Sequence, residues 1–392
     1  MKILMLCEFY NETLEYQENL AVKYYCKHGH SVTVITSTYE SVFDYYNNIH
    51  DNKLPSKIYY DHGAKIIKLP FKFNFFGKLK KYISIKNIVE EEKPDLLYIH
   101  CIMPNMLEML DYKKKNPKVK MIMDYHADYS NSANNWLSLN ILHKIIRKKI
   151  YLDPVRKHIS RFYPIIPGST KFLNEVYNVD FKDMEILPLG ADVDLVNEIK
   201  NSNIREIIRD KYNISNEDVV IFSGGKFNSI KKTHLLISSF NLINNKKLHL
   251  FLLGDADKYN EEYKNNLISL SNKNKNIHFL GWQNNKTVYE YLSASDLAVF
   301  PASQSIMWLQ AIGCGLPIIV GDTGGQSLDY INEFGAIIEL KNEDINAENI
   351  AESIKKIVFD NELYLAMKKA ANKTTNKFLD WNHLIDKTLN FK

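Results

Sequence analysis

The segment from residue 297 to residue 320 carries the clearest chemical signal in the sequence. Its apolar ends predict two strands, and between them lie a polar turn at Ser303 and a short helical stretch. This order leaves a helix N-terminus beside the carboxyl end of a parallel strand, where free amide groups and the helix dipole attract anions. Gln310 follows Ser303 by seven residues, about two helical turns, so it could hold a second part of a ligand whose phosphates bind at the helix start. A nucleotide diphosphate has such dimensions; the alternative is a buried helix with Ser303 as its N-cap.

A turn rich in glycine and lysine follows the first apolar run of the second half of the chain. Gly224 and Gly225 allow close approach to the backbone, and Lys226 and Lys231 bring positive charge to the same loop. In a parallel sheet this turn and the helix start at Ser303 stand at one edge. Together they could neutralise a diphosphate without a metal, although a solvated basic loop would give the same pattern.

In the first half, Asp124, His126 and Asp128 follow the end of a predicted strand. Two carboxylates and one histidine so close in sequence are a poor zinc pattern. A histidine that orients a hydroxyl or a sugar suits the position better, and a histidine satisfied at the end of a strand is the structural alternative.

Two further polar loops also follow predicted strands. Tyr16, Gln17 and Glu18 would direct a hydroxyl, an amide and a carboxylate to the same edge as His126. Glu18 or Glu15 could instead be an acid that compensates the dipole of the next helix. In the second half, the backbone groups of residues 281–284 could contact a nucleobase, although a glycine that ends a strand is also an ordinary structural feature.

Short β-branched runs alternate with amphipathic segments along the chain, which predicts βαβ units and parallel sheets. The pattern restarts after a connector rich in Pro, Gly and Asp at 185–195. We therefore expect an α/β protein with a Rossmann-like domain at 1–190, a second at 191–375, and a last helix within 376–392 that crosses back to the first. Predicted strands are 2–8, 31–38, 65–70, 95–101, 120–125 and 162–167, then 218–224, 248–255, 277–282, 296–300 and 317–321; predicted helices include 17–28, 77–92, 103–112, 137–160, 347–359, 362–375 and 381–389, with Ser169 and Asn346 as N-caps.

The composition limits the classes of partner and location. A net charge of +4 over 392 residues, with no basic stripe, argues against nucleic acid. Four separated cysteines form no CxxC pair, and no window has the roughly 20 apolar residues of a membrane span. We expect a soluble, cytoplasmic protein. The stretch Lys72–Tyr82 interleaves aromatic and basic residues; it could rest on an anionic membrane surface, or form an ordinary helix whose lysines extend to water.

These motifs together resemble the retaining nucleotide-sugar glycosyltransferases of family 4, which have the GT-B fold. The opening residues 1–10, the connector 189–192, Gly225-Lys226 with Lys231, and 310–317 stand where that family has its landmarks. Two features differ. Gln310 occupies the second position of the family's Glu-x7-Glu pair, behind a shortened loop, and residues 14–18 replace the glycine pair after the first strand.

The resemblance implies two facing Rossmann-like domains with a central cleft. It implies transfer of a sugar, with retention, from a nucleotide diphosphate-sugar, with UDP as the expected nucleotide and no cofactor or metal, to a glycan or lipid-linked hydroxyl in cell-surface polysaccharide or glycoconjugate synthesis. A nucleotide-sugar epimerase or hydrolase and a non-catalytic binding subunit remain alternatives. The expected roles are catalysis for His126, Lys226 and Lys231; nucleotide-sugar binding for Gly225, Gly281, Trp282, Ser303, Gln304, Ser305, Ile306 and Gln310; and acceptor binding for Tyr16, Gln17, Glu18, Asp124 and Asp128.

Overall fold

The chain forms two compact units in a computed structural model that describes residues 1–13, 16–39, 54–75, 77–271, 274–325 and 327–391. The first unit comprises Met1–Pro188 with Asn382–Lys392, and the second comprises Leu189–Trp381. Glu15, an alternative dipole-compensating acid, and Phe76, within the aromatic and basic stretch, lie outside the described residues.

The first unit is built on a seven-stranded sheet with the order β3-β4-β2-β1-β7-β8-β9. All pairs are parallel except β3 with β4. Apart from the added edge strand β3, this is the doubly wound order, whose direction of winding reverses between β1 and β7. The strands are β1 Lys2–Leu6, β2 Ser31–Ser37, β3 Lys57–Asp61, β4 Ala64–Leu69, β7 Leu96–His100, β8 Lys120–Tyr125 and β9 Arg161–Pro164; β5 Phe71–Phe75 and β6 Leu79–Tyr82 form a separate antiparallel pair.

Helices connect these strands, as the alternating pattern predicts. They are α1 Gln17–Lys27, α2 Lys86–Glu92, α3 Met106–Lys115, a wide helix α4 Ser138–Leu152 with π-type i→i+5 hydrogen bonds, its short continuation α5 Asp153–Arg156, and α6 Pro167–Tyr177. In the described part of the chain, no helix has both the length and the apolar character needed to cross a bilayer.

Two local predictions for the first unit are wrong. The helix expected over 77–92 is confined to α2, and Lys72–Tyr82 lies almost wholly in the β5–β6 hairpin, because its alternation of aromatic and basic residues has the period of a strand. Ser169 is not an N-cap, because α6 already begins at Pro167, where the fixed backbone angle of proline suits the first helical position.

The second unit contains a six-stranded, fully parallel sheet with the order β12-β11-β10-β13-β14-β15, again doubly wound and reversing between β10 and β13. Five of its strands were predicted; the edge strand β15 was not, because its polar residues Glu339 and Lys341 interrupt the apolar run. The strands are β10 Val219–Gly224, β11 Leu248–Leu253, β12 Ile277–Gly281, β13 Leu297–Phe300, β14 Ile318–Asp322 and β15 Ile337–Lys341.

Both faces of the second sheet are covered, which explains the continuous apolar runs. On β10, Val220 and Phe222 pack into one core, whereas Ile221 between them packs into another. The helices of this unit are α7 Val193–Lys200, α8 Ile204–Lys211, α9 Thr233–Ile243, α10 Glu261–Leu270, α11 Asn285–Ser293, α12 Ile306–Gly313, α13 Ala347–Val358 and α14 Asn361–Thr374. The side chain of Asn346 caps α13 as predicted.

The last helix, α15 Trp381–Leu389, belongs to the first unit except for its first residue. The Tyr163 hydroxyl donates to the Lys387 carbonyl at 2.5 Å, and Lys120 Nζ donates to the Leu389 carbonyl at 3.1 Å. The hydroxyls of Tyr25 and Thr388 are also hydrogen-bonded.

Candidate functional site

Lys231 joins two loops of the second unit at the point where the order of its sheet reverses. Its Nζ donates to the backbone carbonyls of Ser303 and Gln304 at 3.0 and 2.9 Å. A Cβ built on Gly225 would lie 3.5 Å from the Cε of Lys231, so the lysine stem also runs along the glycine turn. Burial lowers the pKa of the Lys231 ammonium to about 8. The turn after β10 and the turn after β13 therefore stand at one edge of the sheet, as the sequence predicts, and Lys231 contacts both.

The turn before α12 has a conformation that ordinary residues seldom adopt. Ser303 is left-handed, with φ of 61°, and such strain is typical of ligand-binding loops. The predicted N-cap is wrong by two residues, because Ser305 and not Ser303 caps α12: its Oγ accepts from Met307 N at 3.3 Å. Ile306 is the first residue of the helix, so the helix start stands directly after the strained turn.

Glycines let the neighbouring loops of this edge pack backbone against backbone. A Cβ on Gly254 would lie 1.9 Å from the Gly225 carbonyl oxygen, and one on Gly224 would lie 2.6 Å from Met307 Sδ. Gly254 N also donates to the Gly281 carbonyl at 2.9 Å. Three of the predicted ligand-binding loops, after β10, β12 and β13, are therefore held in one packed layer.

Lys226 and Gln310 have protein partners of their own. Lys226 forms an ion pair with Asp257 at 2.5 Å. Of the two lysines predicted to bind phosphate, Lys231 is therefore the one that contacts the strained turn. Gln310 is 4% exposed, and its Nε2 donates to Asn285 Oδ1 at 2.8 Å across α12 and α11. Trp282, in contrast, is 55% exposed at the end of β12 and is accessible for stacking.

In the first unit, a buried carboxylate organises the corresponding edge. Asp124 Oδ2 accepts from the Tyr98 hydroxyl and from His100 Nδ1, both at 2.8 Å, while Oδ1 accepts from Cys101 N at 3.2 Å. Burial opposes charge on both partners, but the Asp124 carboxylate raises the pKa of His100 to about 9, and His100 holds the pKa of Asp124 well below its usual value. Near neutral pH this raised pKa favours the charged form of the His100 imidazole, at the end of β7.

Other predicted residues surround this pair. His126 Nε2 lies 3.8 Å from Asp124 Oδ2, and the rings of His126 and His100 are 4.4 Å apart. Glu18, at the start of α1, is buried, which raises the pKa of its carboxyl group; its charge interacts with both histidines. Both polar atoms of the neighbouring Gln17 side chain are buried without a hydrogen-bond partner. Such unsatisfied groups are expected where a polar ligand binds.

Asp128 and Tyr16 are engaged in local structure. Asp128 Oδ1 accepts from Ser130 N at 2.8 Å and from Asn131 N at 3.2 Å, which closes the turn after β8. Tyr16 N donates to Asn19 Oδ1 at 3.1 Å at the beginning of α1.

The sequence analysis did not single out His100. In the structure, this residue and not Asp128 lies beside Asp124 and His126. The ligand atoms of His100, Asp124 and His126 lie within 4.8 Å of one another, a set that could hold a metal ion. The sequence contained a signal for His100, because this residue lies next to the end of the predicted strand 95–101. In the structure it ends β7, and Cys101 after it is left-handed with φ of 64°. Only the strand order shows that this strand is the neighbour of β1 and β8.

Comparison with known proteins assigns each of the two Rossmann-like halves to a glycosyltransferase family model. The family model of the glycosyl transferases group 1 matches residues 204–374, and the model of glycosyltransferase family 4 matches residues 20–195. The chain is a family 4 glycosyltransferase of the GT-B fold. This confirms the family and the expected pair of Rossmann-like halves, while the assignment of Gln310 to the second position of a Glu-x7-Glu pair stays a prediction.

Individual relatives of this glycosyltransferase are distant. A curated relative, an uncharacterized glycosyltransferase of Methanocaldococcus jannaschii, is 26% identical over 269 residues, which are 63% of this chain but only 60% of the relative. A glycosyltransferase structure from Rickettsia africae has a TM-score of 0.70 at 15% identity, with 99% of this chain and 97% of that chain covered. The structure of Anabaena HepE in complex with UDP and glucose has a TM-score of 0.66 at 14% identity over 100% of both chains. At these identities the structural matches establish the fold alone.

Proposed function

We propose that this glycosyltransferase moves a hexosyl or N-acetylhexosaminyl group, with retention of anomeric configuration, from a UDP-sugar to a hydroxyl of a glycan or lipid-linked acceptor in cell-surface polysaccharide or glycoconjugate synthesis. The observation that carries the proposal is the contact of Lys231 with the carbonyls of Ser303 and Gln304. This contact brings a cationic side chain to a strained turn that directly precedes the start of a helix. Such a combination suits the binding of a diphosphate.

The donor would bind at the carboxyl edge of the second sheet. Lys231 and the amide groups at the start of α12 would contact the phosphates, and the exposed Trp282 ring would face the base. The structures of Anabaena HepE in complex with UDP support this choice of nucleotide. Gln310 would contact the ribose only after it exchanges its hydrogen bond to Asn285.

The acceptor or the transferred sugar would contact the edge of the first sheet. Gln17 supplies an unsatisfied amide and His126 an unsatisfied ring nitrogen, whereas Asp124 fixes the orientation of His100. These groups would hold sugar hydroxyls, with Glu18 as a further acceptor of hydrogen bonds.

The reaction would proceed on one face of the sugar. As the bond from the anomeric carbon to the phosphate oxygen breaks, the acceptor oxygen forms its bond to the same face, and its proton passes to the departing phosphate oxygen. The charge that develops on the diphosphate is stabilised by Lys231 and the helix start, so positioning and electrostatics supply the catalysis. No base from the protein and no metal is needed for the proton balance.

A donor screen tests the proposal. UDP-, GDP- and ADP-sugars are compared for their ability to raise the unfolding temperature, and the stabilising donor is then assayed with and without glycan acceptors. We expect a UDP-sugar to stabilise the protein and Lys231→Ala to lower kcat/KM roughly 100-fold or more, since it removes a charge from the phosphates. Lys247→Ala, at the opposite end of the sheet beside Glu217, is the matched control and should retain activity.

The result also separates the alternatives. Release of free sugar or of an epimer from the donor alone, at the full rate, would indicate a hydrolase or an epimerase. Failure of every nucleotide sugar to bind would indicate a non-catalytic subunit, and either result would contradict the proposal.

A further inference from the structure

One helix of the first unit turns large apolar side chains toward the solvent. Five of them, in and just before α4, are between 37% and 67% exposed, an unusual concentration for a single surface segment. They are Trp136, Leu137, Ile141, Ile145 and Ile150.

The geometry of the helix places these side chains in one row. Ile141, Ile145 and Ile150 follow one another at intervals of four and five residues, which match successive turns of a helix with i→i+5 hydrogen bonds. On the opposite side His143 and Leu152 are buried, again two such turns apart. The exposed row is therefore a continuous face, which we call the α4 face and define as residues 136, 137, 141, 144, 145, 149 and 150.

Lysines line the same face. Lys144 and Lys149 are exposed directly beside Ile145 and Ile150. Between residues 136 and 152 the sequence contains four basic and no acidic residues. A pairing of the α4 face with the same face of a second copy would set these like charges against each other.

The β5–β6 hairpin is attached to this helix. Arg147 donates to the Lys78 carbonyl at 3.2 Å, and the hairpin exposes Phe73 next to Lys72. The aromatic and basic stretch singled out in the sequence is thus held against α4, although as a hairpin and not as a helix.

We propose that the α4 face docks this protein onto an anionic lipid bilayer. Its tryptophan, leucine and isoleucines enter the boundary between headgroups and acyl chains, while Lys144 and Lys149 extend to the lipid phosphates. An anionic bilayer complements both properties of the face at once. The docking is independent of the proposed sugar transfer, because it involves none of the residues at the edges of the two sheets.

Vesicle flotation tests this docking without any donor or acceptor. The full chain is mixed with phosphatidylcholine vesicles with or without phosphatidylglycerol, at low and high salt. We expect flotation with the anionic vesicles, reduced by salt, and its loss in Ile141→Asp/Ile145→Asp. Lys144→Glu/Lys149→Glu should weaken partitioning at least tenfold, since each basic residue near an anionic surface contributes roughly fivefold.

Matched substitutions on another surface serve as controls. Ile207→Asp with Ile268→Asp changes two isoleucines of similar exposure in the second unit, and Lys356→Glu with Lys369→Glu repeats the charge change there. Both controls should float like the wild type. The unfolding temperature of every variant shows whether it is folded.

A spectroscopic readout locates the contact. Trp308 and Trp381 are buried, so in a Trp282→Phe background Trp136 is the exposed indole, and its emission should shift to the blue when anionic vesicles are added. The inference is overturned if the wild type does not float, if the α4 variants float as well as their controls, or if the face mediates a dimer that the aspartate variants dissociate in the absence of lipid.

Discussion

UDP binding should weaken as the pH rises through about 8, because Lys231 loses its proton there in the free protein. Burial of the Lys231 side chain, which lies against the carbonyls of Ser303 and Gln304, causes this low pKa. A bound diphosphate favours the ammonium form, so the fraction of the protein in which Lys231 is deprotonated must take up a proton before it can make this contact.

The magnitude follows from the pKa. With a value of about 8, Lys231 is about 90% protonated at pH 7 and about 10% protonated at pH 9. The Kd for UDP should therefore rise about tenfold over this interval, or about 1.4 kcal/mol. A terminal phosphate has its second pKa near 6, so the ligand itself stays almost fully ionised above pH 7.

The stability of the ligand-free protein should change in the opposite direction. Because the pKa of Lys231 is lower in the folded state than the ordinary lysine value of 10.5, the unfolded chain binds more protons between about pH 8 and 10.5. The contribution of this group to the free energy of unfolding then increases as the pH rises through that window.

Isothermal titration calorimetry from pH 7 to 9 measures the effect. Lys231→Arg is the control, since a guanidinium remains charged throughout and should remove the pH dependence. At pH 8 the wild type should also take up about half a proton on binding, seen as heat that depends on the buffer. A constant Kd in the wild type, or the same slope in Lys231→Arg, would refute the role of this lysine.

Three further outcomes follow from the described contacts. Asp124→Asn should lower the pKa of His100 from about 9 to below its usual 6.5, as an NMR titration of the ring would show. The contribution of this ion pair to the free energy of unfolding is complete below pH 6.5 and disappears as the pH rises through 9. Near neutral pH the variant should therefore lose up to about 3 kcal/mol of stability. Arg209→Leu should cost about 3–5 kcal/mol in urea unfolding, because this buried guanidinium bonds one carboxylate and three carbonyls; wild-type stability would show that the bonds contribute nothing. Gly254→Ala should cost about 3 kcal/mol or more and weaken UDP binding, since its Cβ would overlap the Gly225 carbonyl oxygen; an unchanged unfolding midpoint would exclude the close approach.

The buried strands could be predicted from the sequence because both sheets are covered on their two faces. The continuous apolar runs at 2–6 and 96–100 are typical of central strands in a parallel sheet that is covered on both faces. The β5–β6 hairpin and β15 were missed since polar residues such as Lys80, Glu339 and Lys341 interrupt their apolar pattern.

The candidate site could be predicted from the sequence where its groups follow the carboxyl ends of parallel strands. Lys231 and the turn at Ser303 follow neighbouring strands, so their common edge could be predicted from the alternation of elements. The hydrogen-bond partner of Gln310 and the ion-pair partner of Lys226 could not be predicted from the sequence. Asn285 is 25 residues from Gln310, and Asp257 lies in a loop whose path depends on how the glycines of the adjacent turns pack.

A crystal structure of the protein with UDP tests the central claim most directly. The claim predicts diphosphate oxygens within hydrogen-bonding distance of Lys231 Nζ and of the backbone amides that begin α12, beside Ser305. A well-ordered UDP whose phosphates contact neither group would contradict it.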